Sequence, residues 1–221
     1  MNLVSSYDLF ERLFPLELLK DSPKNWWPGY GTFEVILGAL LTQNTTFTKV
    51  EISLGNLRRS DLLQLDKWKN LSTVDIMELI IPSGLYRQKS QRLIDLTHAI
   101  VRDFDDYDYF VSTVDRSWLL EQKGIGFETA DAILCYACQR PVMVADKYTA
   151  KLLAALGLEF EDYESIQSWL ESGIKSSLEE IYTLYGTSIE LEIIYAHFHG
   201  MIVEYCKTYC KGKKILIELL V

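Results

Sequence analysis

The sequence predicts an all-α fold, and three observations carry the prediction. Apolar residues recur at helical offsets along nearly the whole chain, and sustained strand-type alternation is hard to find. The five prolines (Pro15, Pro23, Pro28, Pro82 and Pro141) fall between the periodic segments, where a helix breaker belongs. Phe33, Ile36, Leu37, Leu40 and Leu41 form the first clear stripe, and Gly31-Thr32 supplies a start for it. Leu93, Ile94, Leu96, Thr97, Ile100, Val101 and Phe104 form a second. Ala130, Ile133, Leu134 and Ala137 form a third, and Ile189, Ile193, Ala196, Ile202 and Val203 mark a long closing helix. No internal repeat, Ser/Gly-rich linker or low-complexity tract interrupts the series.

Length and charge narrow the function classes. At 221 residues the chain suits one domain or two small lobes. Lys and Arg number 22 against 31 Asp and Glu, a net charge of −9. A protein that coats nucleic acid through a broad positive field is thereby excluded, whereas an enzyme with a local basic patch is not. Hydrophobic residues at 48% with 24% charged exclude disorder as the default. Apolar runs such as Val35 to Leu41 fall well short of the about 20 residues that span a bilayer, so no membrane partner is expected. The N-terminus carries no basic segment ahead of an apolar one, so no secretory signal is expected, and four cysteines do not make a disulfide framework. A reducing, cytoplasmic compartment is the expectation.

Charge is also uneven along the chain. Between Glu159 and Glu192 lie nine acidic residues against Lys175 alone, whereas Arg87, Lys89 and Arg92 stand unopposed, as do Lys207, Lys211, Lys213 and Lys214. Each run is in the first instance a solvated helix face; the asymmetry also says where a phosphate backbone could approach and where it would be repelled.

The stretch from Trp118 to Leu134 is the most informative. Two apolar helical segments are joined by Lys123-Gly124-Ile125-Gly126. The glycines allow a tight turn with positive φ and the close approach of another backbone. Ile125 between them plugs the hairpin, and the free N–H groups opening the second helix favour an anion. Many helix pairs turn on Gly-X-Gly with no ligand, so the segment alone leaves both readings open. Downstream, Val142-Met143-Val144-Ala145-Asp146-Lys147 ends an apolar segment on an Asp that opens a helix, a place that an N-cap also explains.

Together, Gly124-Ile125-Gly126 with Thr129-Ala130-Asp131-Ala132-Ile133, and Val142 to Lys147, resemble the helix-hairpin-helix and catalytic-aspartate signature of the endonuclease III superfamily of DNA glycosylases. The likeness extends to Leu40-Leu41-Thr42-Gln43-Asn44-Thr45, to Gly84-Leu85-Tyr86-Arg87-Gln88-Lys89 and to Phe198-His199-Gly200, in the family's order over nearly the whole chain. The architecture expected is two helical lobes with an interlobe cleft. Residues 31–140 would form the hairpin-bearing lobe, and residues 1–30 would join 141–221 in the second.

Two departures narrow the subtype. Bifunctional members place a Schiff-base lysine two residues after the hairpin's second glycine; Glu128 stands there and cannot do that chemistry. A monofunctional glycosylase without AP lyase activity is therefore expected, one that leaves an abasic site. Many relatives also carry a four-cysteine iron–sulfur loop, whereas only Cys206 and Cys210 follow the late helix, so no cofactor is expected. Cys135 and Cys138 read as buried core thiols, and His199, Cys206 and Cys210 share a helix face without a fourth ligand, so no metal site is expected either.

Asn25-Trp26-Trp27-Pro28-Gly29 and Thr42 to Phe47 resemble the branch that removes 3-methyladenine. Paired tryptophans beside a proline make a rigid aromatic wall, suited to a cationic alkylated purine through stacking and cation–π attraction of about 0.5–2 kcal/mol per contact. Such tryptophans are also ordinary core residues. The resemblance implies that the nucleotide is flipped out of the duplex and that Trp26, Trp27, Pro28 and Phe47 line the base pocket. Glu128 and Lys207 are secondary candidates, each also readable as a solvated side chain. Asp146 would act at the sugar, as general base or as electrostatic stabiliser. Gln43 would fill the vacated space, and Gly124 and Gly126 would grip a phosphate. Further DNA contacts would come from Arg87, Lys89, Lys123, Lys147, Lys151 and the Lys211–Lys214 cluster. The partner implied is duplex DNA with an alkylated base, bound by a monomer acting on the bacterial nucleoid. Two other readings are a glycosylase for another damaged or mismatched base and a non-catalytic helix-hairpin-helix module; a third is a metalloprotein built on the cysteines.

Overall fold

The structure, a computed structural model, describes residues 4–211 and 214–220. Twelve α-helices occupy them: α1 (Ser6–Leu13), α2 (Phe33–Leu41), α3 (Phe47–Arg59), α4 (Thr73–Met77), α5 (Tyr86–Phe104), α6 (Tyr107–Thr113), α7 (Arg116–Glu121), α8 (Phe127–Ala132), α9 (Lys147–Ala155), α10 (Tyr163–Lys175), α11 (Leu178–Tyr185) and α12 (Leu191–Thr208). The fold is all-α, as the periodicity predicts. The chain divides into two compact units, one from Gly29–Cys138 and one that joins Met1–Pro28 to Gln139–Val221.

In the continuous unit, α2 starts after the N-cap Thr32 and buries every residue except Glu34, as a helix apolar all round must. It packs on α3, on α5 and on a π-turn at Ile133–Ala137 that continues α8. All five residues of that turn are buried, and Gly31 N–H donates to Tyr136 O at 2.8 Å. The bulge was not legible in the sequence, because the apolar stripe reads the same for either hydrogen-bond offset. A bidentate pair, Arg116 Nε to Asp131 Oδ1 at 2.7 Å and Nη2 to Oδ2 at 2.9 Å, ties α7 to α8 across the hairpin. The Asp131 side chain is fully buried, so removing either partner would strand a charge.

In the discontinuous unit, Leu9, Phe10 and Leu13 of α1 are fully buried in one core with Leu152 and Leu153 of α9, Leu170 and Ile174 of α10, and Phe198 and Ile202 of α12. Each such side chain contributes roughly 1.5–3 kcal/mol of burial. After α12 the chain reverses in a two-stranded antiparallel ladder, β1 (Cys210–Lys211) with β2 (Lys214–Ile215). Strands of two residues carry no alternation, which is why the sequence did not announce them. Tyr205 Oη donates to Leu216 O at 2.7 Å and pins the returning segment to α12. No helix among the described residues is long and apolar enough to cross a membrane.

Candidate active site and helix-hairpin-helix

Asp146 is the N-cap of α9. Its Oδ1 accepts from Thr149 N at 2.8 Å and from Thr149 Oγ1 at 3.0 Å, so the capping role and the candidate catalytic role fall on one carboxylate. The other oxygen, Oδ2, lies 3.5 Å from Nε2 of His199, a buried residue of α12. Burial alone would raise the carboxyl. The His199 hydrogen bond and charge, with the two Thr149 donors, outweigh that penalty and hold Asp146 below the ordinary aspartate range. The side chain is 13% exposed.

Trp26 stands on the same histidine, its ring edge-on to His199 at 5.1 Å and to Trp27 at 5.8 Å. Its backbone lies in the left-handed region, φ 68°, next to Asn25 at 58°, a conformation that large side chains rarely adopt. Three bonds hold it there: Trp26 N to Pro23 O at 2.8 Å, Trp27 N to Asn25 O at 2.9 Å, and the indole N–H to Glu204 Oε1 at 3.0 Å. Gly200 supplies the room. A Cβ at that position would lie 2.5 Å from Trp26 Cγ. Trp27 is buried and Pro28 half-buried, while Lys207 is exposed with its Nζ 5.8 Å from the centre of the Trp26 ring. Trp26, Trp27, Pro28, Asp146, Lys147 and Lys207 thus belong to one unit.

The hairpin belongs to the other. Gly124 takes the left-handed turn at φ 86°, whereas Gly126 is extended at φ −103° and caps α8, so the first glycine supplies the positive φ of the turn. Arg92 packs where a Gly124 side chain would be, but nothing lies within 4 Å of a Cβ built at Gly126, so an outside backbone can come close there. Ile125 is buried, as a plug should be. Gln43 does not project freely. Its Nε2 donates to Gly124 O at 2.9 Å and to Thr129 Oγ1 at 3.1 Å, and its Oε1 accepts from Arg92 at 2.6 Å. Filling a vacated space would require giving up this seat. Lys123 and Glu128 are exposed, and Phe47 is half-buried at the start of α3.

Lys89 corrects the expected set of DNA contacts. It is 1% exposed, and its Nζ donates to Leu41 O and Ser83 O, both at 2.7 Å. Burial, with the Arg92 charge second, pulls its pKa down to about 8. It is a structural cation that ties α5 to the end of α2 and cannot also reach a phosphate. Arg87, Lys147 and Lys151 are exposed; Lys213 and the Lys211 side chain lie outside the described residues. Among the described residues no three His, Cys, Asp or Glu side chains converge as a metal site requires. The Cys206 thiol is buried, donates to Tyr148 O, and is pushed up to about 12 by burial and by Asp146, the opposite of what a thiolate ligand needs.

His199 and Glu204 were missed as site residues, although their spacing held the signal. Tyr195, His199, Ile202 and Cys206 recur at helical offsets on the buried face of α12. Gly200, Glu204 and Lys207, at offsets of four and three, share the face that carries Trp26.

Comparisons with known proteins agree with this anatomy. The model of the HhH-GPD superfamily base excision DNA repair proteins matches residues 37–176. A protein of Methanocaldococcus jannaschii assigned as a DNA repair glycosylase is 33% identical over 218 residues, covering 96% of this chain and 93% of its own length. The crystal structure of the H. pylori 3-methyladenine DNA glycosylase MagIII bound to 1,N6-ethenoadenine is 44% identical in sequence. It covers 94% of this chain and 100% of its own, at a TM-score of 0.90. A non-covalent Endonuclease III–DNA complex, 16% identical, matches at a TM-score of 0.67 over 99% of this chain and 94% of its own, a likeness of fold alone. With the hairpin and Asp146 both inside the matched span, the chain belongs to the HhH-GPD superfamily of base excision DNA repair proteins.

Proposed function

We propose that the protein is a monofunctional DNA glycosylase that hydrolyses the N-glycosidic bond of 3-methyladenine, flipped out of duplex DNA, and leaves an abasic site. The observation that carries the reading is Asp146, a carboxylate kept ionised at the head of α9 and linked through His199 to the Trp26 ring. A carboxylate held below its ordinary pKa is a weak proton acceptor and a persistent negative charge. It therefore suits stabilisation of the oxocarbenium-like sugar better than deprotonation of water. N3-alkylation makes the adenine a cationic leaving group, so no strong general acid is required. Trp26 and Trp27 offer the purine an aromatic surface. The amides at Gly124 and Gly126 are the proposed phosphate grip, which fixes register without reading sequence. The likeness to the H. pylori 3-methyladenine enzyme supports the lesion, and Glu128 in the lysine position supports the absence of lyase chemistry.

The test is base release from a duplex carrying one 3-methyladenine, by wild type and Asp146→Asn, with and without alkali. Release by wild type alone, with strand breaks only after alkali, is the expected outcome. Asn retains the N-cap, so a non-catalytic module would treat the two proteins alike. Binding without release by wild type would sink the 3-methyladenine reading.

A further inference from the structure

Lys207 poses a charge problem for this reading. Its ammonium stands 5.8 Å from the centre of the Trp26 ring, within the distance at which a cation is drawn to an indole face. A 3-alkylated adenine in DNA is itself positively charged. An ammonium already at that ring competes for the same π density and repels the incoming base.

Glu204 meets both difficulties with one atom. Its Oε1 accepts from Lys207 Nζ at 2.8 Å and from Trp26 Nε1 at 3.0 Å. The carboxylate cancels the ammonium and, by polarising the indole N–H, leaves the ring richer in electrons. The three groups are brought together by the local fold. Glu204 and Lys207 are one helical turn apart on α12, and Gly200, one turn earlier, gives Trp26 its seat on the same face. The pair is partly exposed, Glu204 at 26% and Lys207 at 42%, so it adds little to stability, and its arrangement calls for another account.

We propose that Glu204 is a specificity-determining residue whose carboxylate neutralises Lys207 at the Trp26 ring and so fits that ring to a positively charged purine. The inference rests on the reading of Trp26 as a base contact for alkylated purines. A plain tether for Trp26 would use any hydrogen-bond acceptor; a charge filter needs the negative charge, and needs it only while Lys207 is positive.

A double-mutant cycle on the full chain separates the two. Single-turnover release of 3-methyladenine is measured at saturating enzyme for wild type, Glu204→Gln, Lys207→Met and the double variant. Gln keeps an oxygen for the indole N–H and removes only the charge. Glu204→Gln is expected to slow release on the order of tenfold when Lys207 is present, and about twofold or less when residue 207 is Met. Its affinity for undamaged duplex should hold or rise, because net charge becomes less negative. Equal losses in the two backgrounds, or no loss, would overturn the proposal while leaving the glycosylase reading intact. Absence of release by wild type would overturn both.

Discussion

Nε2 of His199 faces Oδ2 of Asp146 at 3.5 Å, on the oxygen opposite the one that caps α9. The two oxygens thus divide the work: one holds the helix, and the other meets a buried imidazole that also seats Trp26.

The division sets a pH dependence. Asp146 lies below its ordinary value, so its charge is present at neutral pH and is lost only as pH falls through that lowered value. The stability that it contributes follows the same sign, fully present above the unfolded aspartate pKa of about 3.9 and lost beneath it. Base release by wild type should therefore show no acidic limb from Asp146 down to about pH 4. His199→Phe removes the histidine's hydrogen bond and charge and leaves burial opposed by Thr149 alone, so its limb should move to higher pH. His199→Gln, which keeps a donor, should restore part of the shift. Coincident pH–rate profiles for wild type and His199→Phe would refute this account.

The buried lysine and an exposed one should separate cleanly. Lys89→Met leaves Leu41 O and Ser83 O unpaired and is expected to cost about 2 kcal/mol in urea unfolding. The salt slope of DNA binding should stay unchanged. Lys123→Ala should leave stability alone and, if Lys123 meets a phosphate, lower that slope by about 1. Because folding lowers the Lys89 pKa to about 8, its ammonium is disfavoured in the folded state. Stability of wild type should rise with pH from about 8 to about 10.4, a rise that Lys89→Met lacks.

The two hairpin glycines predict different failures. Gly124→Ala forces a side chain into φ 86° and against Arg92, so the melting temperature should drop and DNA affinity with it. Gly126→Ala meets open space at an allowed φ in the free protein. It should leave the melting temperature within about 3 °C and weaken binding to any duplex. A thermal shift for Gly126→Ala as large as for Gly124→Ala would contradict this assignment.

Gly200→Ala tests the seat of Trp26. The added methyl would lie 2.5 Å from Cγ and 2.9 Å from Cβ and Cδ2 of the indole, so the ring must move. A displacement of this kind can cost on the order of a hundredfold in release, while affinity for undamaged duplex should stay constant. Unchanged release would show that the position of Trp26 does not matter.

Much of this was readable beforehand, for physical reasons that differ by element. The α2 stripe and its Thr32 start are where the sequence puts them, because a helix buried all round leaves an unmistakable apolar run. Asp146 as N-cap follows from local chemistry alone. Lys89 was misread because the α5 stripe was begun at Leu93. One turn earlier the same face holds Lys89, and a lysine there must bury its head group on carbonyls. Gln43 was legible as a residue of interest but not as one already engaged, since its partners Gly124 and Arg92 are distant in sequence. The Trp26–Glu204 bond spans 178 positions, beyond any local pattern.

The unit that holds Asp146 and Trp26 is drawn from both ends of the chain. During synthesis the segment Gly29–Cys138 emerges whole before the second part of the discontinuous unit is made. Leu9, Phe10 and Leu13 must wait for α12, whose Phe198 and Ile202 complete their core. A nascent chain stalled before residue 191 would display the hairpin without a seat for Trp26 or a partner for Asp146. Excision therefore waits for α12, and a product cut short of that helix lacks the finished setting of Asp146.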